Sequence, residues 1–185
     1  MTDKAAPLDR QFGEVRVPVL VVTAGLPGSG KSTIAEIVAG RLGATAISVD
    51  PIEAAILKAG IDADQPTGLA AYLVAERMAE QLLVSGQSVI VDAVNAVEPA
   101  RLQWRDLAER CGVKLSVIET VCLDVHLHEE RLSKRTDLTA AYAVEQSIDD
   151  YAEWRGAAAS LPRITLDTSR PLGENVHAAL AFLDR

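Results

Sequence analysis

The feature that most constrains this chain is a glycine-rich segment at residues 25–32, which reads GLPGSGKS and matches the pattern G-x-x-x-x-G-K-[ST] in full. It follows an apolar run rich in β-branched residues at positions 19–24, and it precedes a segment in which Ile34, Ile37 and Val38 keep a helical stripe. The order strand, glycine loop, helix directs backbone N–H groups and a helix N-terminus at one place, which is how proteins bind phosphate groups. The segment therefore predicts a phosphate-binding loop.

Each residue type in this loop has a chemical role. The glycines allow positive φ angles and a close approach of the backbone to phosphate oxygens. Lys31 is expected to neutralise the β- and γ-phosphates of a nucleoside triphosphate, and the Ser32 hydroxyl is expected to bind Mg²⁺. The predicted nucleotide-binding residues are Gly25, Gly28, Ser29, Gly30, Lys31, Ser32 and Thr33.

Two other interpretations of the loop are weaker. A turn whose only role is to begin a helix needs neither a lysine at position 31 nor a serine at position 32. A dinucleotide-binding G-x-G-x-x-G loop that starts at Gly28 and Gly30 would have Thr33 where the third glycine or alanine is required.

Length and charge limit the class of protein. A chain of 185 residues with 49% hydrophobic residues is expected to form one domain over residues 1–185, with residues 1–14 as a loose arm. No apolar stretch is long enough to span a membrane, and the N-terminus lacks the pattern of a signal peptide, so we expect a cytoplasmic protein without a membrane partner. The net charge of −8 disfavours nucleic acid as a partner.

The two cysteines do not suggest a disulfide framework. Cys111 and Cys122 fall at a predicted helix end and strand end, where reduced thiols are expected. A zinc site built from Cys122, His126 and His128 is disfavoured, because two histidines that are two residues apart face different sides of a helix.

Strands and helices alternate along the chain after the loop, which predicts a five-stranded parallel sheet with helices on both faces. The further strands are expected at residues 44–49, 88–92, 114–123 and 163–166. Five further helices are expected. The first has Pro51 as its first helical residue, and the fourth follows the N-cap Asp124. The second, third and fifth are expected to begin at about residue 69, at Glu98 and at Glu174. The second of these helices is expected to bury a stripe formed by Leu69, Tyr72, Leu73, Met78 and Leu82.

Three carboxylates follow predicted strands, at the edge of an open α/β sheet where ligands bind: Asp50, Asp92 and Asp167. Asp92 is expected to assist the Mg²⁺ held by Ser32, although it could instead cap the next turn through Asn95. Asp50 could face an acceptor hydroxyl across the γ-phosphate, or could only cap the helix that starts at Pro51.

Phosphoryl transfer also needs cations near the transferred group. Arg131 and Arg135 are four residues apart on one helix face, at the start of a charged segment of about residues 131–155 that we interpret as a small lid with a short helix. Arg131 could alternatively pair with acids on a solvated helix. The predicted catalytic residues are therefore Lys31, Asp50, Arg131 and Arg135.

The sequence leaves the roles of several other side chains unassigned. On the helix that starts at Glu98, Arg105 is expected at the surface, whereas Arg101 has no assigned role. Four aromatic residues could stack on a substrate ring or could belong to the core: Tyr72, Trp104, Tyr151 and Trp154.

The loop taken together with SVD ending at Asp50, VIVDAVN at 89–95, RLSKR at 131–135 and LDTS at 166–169 resembles a known family. The chain is similar to small P-loop kinases, also described as predicted kinases or AAA-family ATPases, which are related to polynucleotide kinase, zeta-toxin and gluconate kinases. This resemblance implies the three-layer α/β sandwich of P-loop NTPases.

The resemblance also implies roles for individual residues. It implies that Asp50 activates the acceptor hydroxyl, that Asp92 assists Mg²⁺ and that Arg131 or Arg135 holds phosphates. It further implies that residues 167–170 lie near the adenine.

Two functions follow as hypotheses. The first is an ATP-dependent kinase that moves the γ-phosphate to a hydroxyl group of a small molecule, with Mg²⁺ as cofactor. The alternative is a regulatory switch that binds or hydrolyses ATP without a small-molecule acceptor. A GTPase is disfavoured because the sequence has neither an N-K-x-D motif nor a D-x-x-G motif after the third strand.

Overall fold

Five strands of this chain form one parallel sheet. The structure is a computed structural model that describes residues 17–134 and 151–185. Within these ranges the strands are β1 (Val19–Ala24), β2 (Thr45–Ser48), β3 (Val89–Asp92), β4 (Lys114–Val121) and β5 (Arg163–Asp167). Every neighbouring pair is parallel, and the order across the sheet is β2-β3-β1-β4-β5.

The described helices alternate with these strands. They are α1 (Lys31–Leu42), α2 (Val49–Lys58), α3 (Thr67–Val84), α4 (Glu98–Cys111), α5 (Val125–Ser133) and α6 (Leu172–Leu183), and a short 3-10 helix covers Gly156–Ser160.

Two hydrophobic cores, one on each face of the sheet, create three layers. In β1, Leu20 and Val22 face the core that includes α3 and α4, whereas Val21 faces the core that includes α1 and α6. This alternation is what a strand buried on both faces requires. The predicted α/β fold, a P-loop NTPase sandwich with helices on both faces of a five-stranded parallel sheet, is therefore confirmed.

The predicted stripe of α3 is wrong. Leu69, Leu73 and Met78 are exposed, and only Tyr72 and Leu82 pack partly against the core. From Thr67 to Ala79 the buried face carries small residues at a spacing of four, because a helix that lies close to a sheet leaves little room for larger side chains there. The residues of α3 that are buried are Thr67, Ala71, Ala75, Ala79 and Leu83.

Some predicted boundaries also shift. Helix α2 begins at Val49, so Asp50 lies in its first turn and Pro51 is the third helical residue. A proline is tolerated there because the first N–H groups of a helix have no partner inside the helix. Strand β4 ends at Val121, two residues before the predicted end, and α6 begins at Leu172 rather than at Glu174.

The remaining expectations concern the arm and the lid. The arm at residues 1–14, Arg135 and most of the predicted lid lie outside the described residues. Of the predicted lid, residues 131–133 end α5, and residues 151–155 are not helical. Across the described ranges we find no helix with the length and hydropathy needed to cross a membrane.

Candidate nucleotide-binding site

The glycine loop joins β1 to α1 and has the backbone that its sequence predicts. Gly25, Gly28 and Gly30 have φ angles of 136°, 78° and 87°. The Gly25 N–H donates to the carbonyl of Val94 at 3.0 Å, and a Cβ atom at Gly25 would lie 2.2 Å from the carbonyl oxygen of Thr120. Only glycine fits this position. These contacts hold the start of the loop between the ends of β3 and β4.

Side chains from distant elements hold the rest of the loop. The hydroxyls of Ser29 and Thr120 are 2.7 Å apart, and the Thr168 hydroxyl donates to the carbonyl of Ser29 at 2.8 Å. His128 of α5 donates through Nε2 to the carbonyl of Pro27 at 2.7 Å. The loop is thereby fixed before any ligand binds, which lowers the entropy that binding costs.

His128 and Thr168 were not predicted to have these roles. The sequence suggests for His128 only the disfavoured zinc site, and the described residues contain no group of three or more His, Cys, Asp or Glu that could hold a metal ion. The sequence signal for both contacts is weak, because they depend on how α5 and the end of β5 pack beside the loop.

Lys31 opens α1 and points toward the loop. Its side chain is largely buried, and Nζ donates to the carbonyl of Leu26 at 3.0 Å. A lysine held in this way presents an ammonium group beside the loop amides, where phosphate oxygens would lie.

A cavity of about 530 Å³ opens beside the loop and the N-terminus of α1. It brings together seven of the predicted site residues from the loop, α1, α2 and α5: Gly28, Gly30, Lys31, Ser32, Thr33, Asp50 and Arg131. Gly25 and Ser29 do not line it; they fix the loop from behind. Its far wall is formed by Thr168, Ser169, Arg170, Leu172 and Asn175.

Arg131 lies on the α5 side of this cavity. Its guanidinium group donates to the hydroxyl of Thr168 at 2.8 Å and to the carbonyl of Thr168 at 3.1 Å. Because the same hydroxyl donates to Ser29, Arg131 is connected to the glycine loop through one side chain. Arg135, the other predicted arginine, is not among the described residues.

Asp92 is the last residue of β3 and does not line the cavity. Its carboxylate is 7% exposed and accepts hydrogen bonds from the hydroxyls of Thr23 at 2.9 Å and Ser48 at 3.5 Å. Asp92 does not cap a turn through Asn95, because the Asn95 side chain has other partners. The Asn95 amide donates to the carbonyl of Thr23 at 2.6 Å and its oxygen accepts from Trp104 at 2.8 Å.

Asp167, which the sequence places at the ligand-binding edge of the sheet, shapes the far wall. Its carboxylate accepts from the hydroxyl and the backbone N–H of Ser169 and from the N–H of Leu123. These bonds, led by the one from the Ser169 hydroxyl, lower the pKa of Asp167. The carboxylate thus orders the turn that carries residues 168–170 to the cavity.

The residues whose roles the sequence leaves unassigned lie away from the cavity, and three of them form one cluster. Arg101 is buried and stacks on the rings of Tyr151 and Trp154, which both donate to the carboxylate of Glu119. Trp104 is buried in the core. None of these three aromatic residues lines the cavity.

Fold and loop together define a small P-loop protein of the kinase and AAA type. The chain belongs to the AAA domain family, whose model matches residues 20–157. The resemblance drawn from the sequence motifs is thus confirmed at the level of the family. No curated protein matches this chain.

Solved structures share the fold. A sugar kinase from a Janibacter species has 21% identity and a TM-score of 0.69, with 90% of this chain and 95% of that one covered. A gluconokinase from Sinorhizobium meliloti has 23% identity and a TM-score of 0.67, with 92% and 94% covered. An APS kinase from Mycobacterium tuberculosis, solved with AMPPNP and APS, has 21% identity and a TM-score of 0.66, with 91% and 98% covered.

Proposed function

We propose that this protein is a kinase that transfers the γ-phosphate of ATP to a hydroxyl group of a small molecule. One observation carries the proposal: the glycine loop, Asp50 and Arg131 line the same cavity. A phosphate-binding loop alone would suit many nucleotide-binding proteins. A carboxylate and an arginine on the same cavity are what phosphoryl transfer to an alcohol needs in addition.

Each group has a part in this reaction. The loop amides and Lys31 bind the β- and γ-phosphates, and the guanidinium group of Arg131 offsets charge on the transferred group. Asp50 accepts the proton of the attacking hydroxyl. Its place in the first turn of α2 holds the carboxylate at the cavity wall, because the helix backbone fixes its position.

The donor groups fit Mg²⁺. Ser32 lines the cavity. Asp92 does not line it, and its carboxylate is held at the end of β3 by the hydroxyls of Thr23 and Ser48. Magnesium takes hard oxygen ligands and commonly binds through one or two carboxylates together with phosphates and water. When bound, it would neutralise charge on the phosphates.

Three of the structural relatives support a small acceptor. Those named above are a sugar kinase, a gluconokinase and an APS kinase, and each has nearly its whole length covered by this chain. The net charge of −8 disfavours a nucleic acid as the acceptor.

An ADP-release assay with a panel of hydroxylated metabolites tests the proposal. We expect release to depend on one class of acceptor, and we expect Asp50→Asn to lower that rate by about 100-fold or more, the usual contribution of a general base, with the Kd for Mg-ATP unchanged. Asp62→Asn, an exposed carboxylate beyond α2, is the matched control. Hydrolysis that no acceptor accelerates would favour the regulatory switch, and loss of ATP binding in Asp50→Asn would make that residue structural.

A further inference from the structure

Thr168 follows β5 and contacts β4, α5 and the glycine loop at once. Its N–H donates to the carbonyl of Val121 at 2.8 Å, which extends the pairing of β5 with β4 by one residue. The residue lines the nucleotide-binding cavity, and its hydroxyl contacts Arg131 of α5 and Ser29 of the loop. The function proposed above gives Thr168 no part in the reaction.

The contacts of the Thr168 hydroxyl fix the direction of its single hydrogen atom. Nη1 of Arg131 lies 2.8 Å from the hydroxyl oxygen, and a guanidinium group can only donate. The hydroxyl hydrogen therefore points to a carbonyl, and that of Ser29 at 2.8 Å is nearer than that of Val121 at 3.1 Å. A directed chain of two hydrogen bonds thus runs from Arg131 through Thr168 to the glycine loop.

At the loop end, this chain fixes the rotation of one peptide group. The described residues contain no cis peptide bond, so the Gly30 N–H points away from the Ser29 carbonyl that Thr168 holds. Gly30 has a φ angle of 87° and, as a glycine, few steric limits on rotation about its backbone bonds. The bond from Thr168 therefore keeps one loop amide in a single direction at the cavity wall.

At the other end, the chain fixes a long and flexible side chain. Arg131 donates to Thr168 twice, from Nη1 to the hydroxyl at 2.8 Å and from Nη2 to the carbonyl at 3.1 Å. Two such bonds set the plane of the guanidinium group as well as its position. Both acceptors are neutral oxygen atoms, so the guanidinium group keeps its positive charge for a phosphate.

We infer that Thr168 is a positioning residue for the nucleotide phosphates, because its hydroxyl holds both Arg131 and the peptide between Ser29 and Gly30. The inference rests on the proposed function for the role of Arg131 at the phosphates. Ordering both groups before binding lowers the entropy that binding costs. One hydroxyl serves both groups, and each hydrogen bond polarises the next. Loss of Arg131 or of the hydroxyl therefore removes much of the same contribution to ATP binding.

Two substitutions separate the hydroxyl of Thr168 from its methyl group. Thr168→Val keeps the shape and lacks the hydroxyl, whereas Thr168→Ser keeps the hydroxyl and lacks the methyl group. The distinction matters because the methyl carbon packs on the loop, where a Cβ atom at Gly30 would lie 3.1 Å from it. Thr165→Val is the matched control, since the Thr165 hydroxyl donates to Glu119 at 2.8 Å and neither of these residues lines the cavity.

Isothermal titration calorimetry with Mg-ATP on the full chain gives the Kd of each variant. We expect Thr168→Val to bind about tenfold more weakly than the wild type, as for the loss of a charge-assisted hydrogen bond. Thr168→Ser should stay within about threefold of the wild type, and Thr165→Val should be unchanged. Urea denaturation reports whether each variant is folded. Thr168→Ala, a second variant without the hydroxyl, should lose at least tenfold and replaces Thr168→Val if that variant unfolds.

Arg131→Ala completes a double-mutant cycle with Thr168→Val. We expect Arg131→Ala alone to lose about tenfold in affinity for Mg-ATP, and the double variant to lose less than about 30-fold. Independent effects would instead multiply to about 100-fold. A general loosening of the loop would give the multiplied value, so the cycle measures an action of Thr168 through Arg131 that a purely structural role would not produce.

The outcomes separate this inference from the proposed function. Wild-type affinity in Thr168→Val, an equal loss in Thr168→Ser, or multiplied effects in the cycle would overturn the positioning role. Titration with Mg-ADP tests the function, because we expect Arg131→Ala to weaken Mg-ATP binding more than Mg-ADP binding. Equal losses would keep the role of Thr168 and reject the contact of Arg131 with the transferred phosphate. Absence of nucleotide binding in the wild type would overturn both.

Discussion

Arg101 and Arg105 lie four residues apart on α4 and have opposite environments. Arg101 is 1% exposed and donates to four backbone carbonyls, two from residues 95–96 and two from residues 152–153. Arg105 pairs with Asp106 and Glu109 at the surface. The surface role of Arg105 was predictable from its acidic neighbours. The role of Arg101 was not, because the carbonyls that it binds come from segments more than 50 residues apart.

Replacing Arg101 by lysine tests its structural role. A lysine has no planar fork of donors and would leave buried carbonyls unsatisfied, so we expect Arg101→Lys to lower the free energy of unfolding by about 2 kcal/mol or more. The measurement is urea denaturation followed by circular dichroism. Arg105→Lys is the control and should leave the unfolding curve in place. Equal curves for both variants would contradict the burial of Arg101.

At the scale of the element, α3 shows where a helical pattern misleads. The segment offers two sets of apolar residues, large ones that include Leu69, Leu73 and Met78, and alanines at positions 71, 75 and 79. Hydrophobicity favours the large set as the buried face, but the structure buries the alanines. The distance between helix and sheet decides between them, and the sequence of the helix alone does not contain that distance. The loop residues were easier to predict, since their chemistry fixes their identity.

Enlarging one of these alanines tests the close packing of α3. Ala75 is fully buried, so Ala75→Leu should overpack the core and lower the free energy of unfolding by about 1–3 kcal/mol. Val74→Leu, at a neighbouring position that is 45% exposed, should have little effect. Thermal denaturation measured by calorimetry compares the two. A destabilisation by Val74→Leu as large as that by Ala75→Leu would show that the face has been assigned wrongly.

At the scale of the whole molecule, strand order creates the site. Strand β1 lies between β3 and β4, so the direction in which the chain crosses the sheet reverses at β1, and the glycine loop leaves the sheet at this switch point. The sequence predicted a parallel sheet and ligands at its carboxyl edge. It placed Arg131 and residues 167–170 near the nucleotide. It did not predict that His128 and Thr168 hold the glycine loop or that Arg131 binds Thr168, because those contacts join residues 37 to 139 positions apart.

The central claim is that the glycine loop, with the ammonium group of Lys31, binds a nucleoside triphosphate. Isothermal titration calorimetry with Mg-ATP tests it most directly, on the wild type, Lys31→Ala and the control Lys58→Ala, an exposed lysine at the end of α2. Loss of a charge-assisted hydrogen bond predicts that Lys31→Ala binds about tenfold more weakly or worse, while the wild type and Lys58→Ala bind alike. Absence of binding heat in the wild type, or equal affinity in all three proteins, would contradict the account.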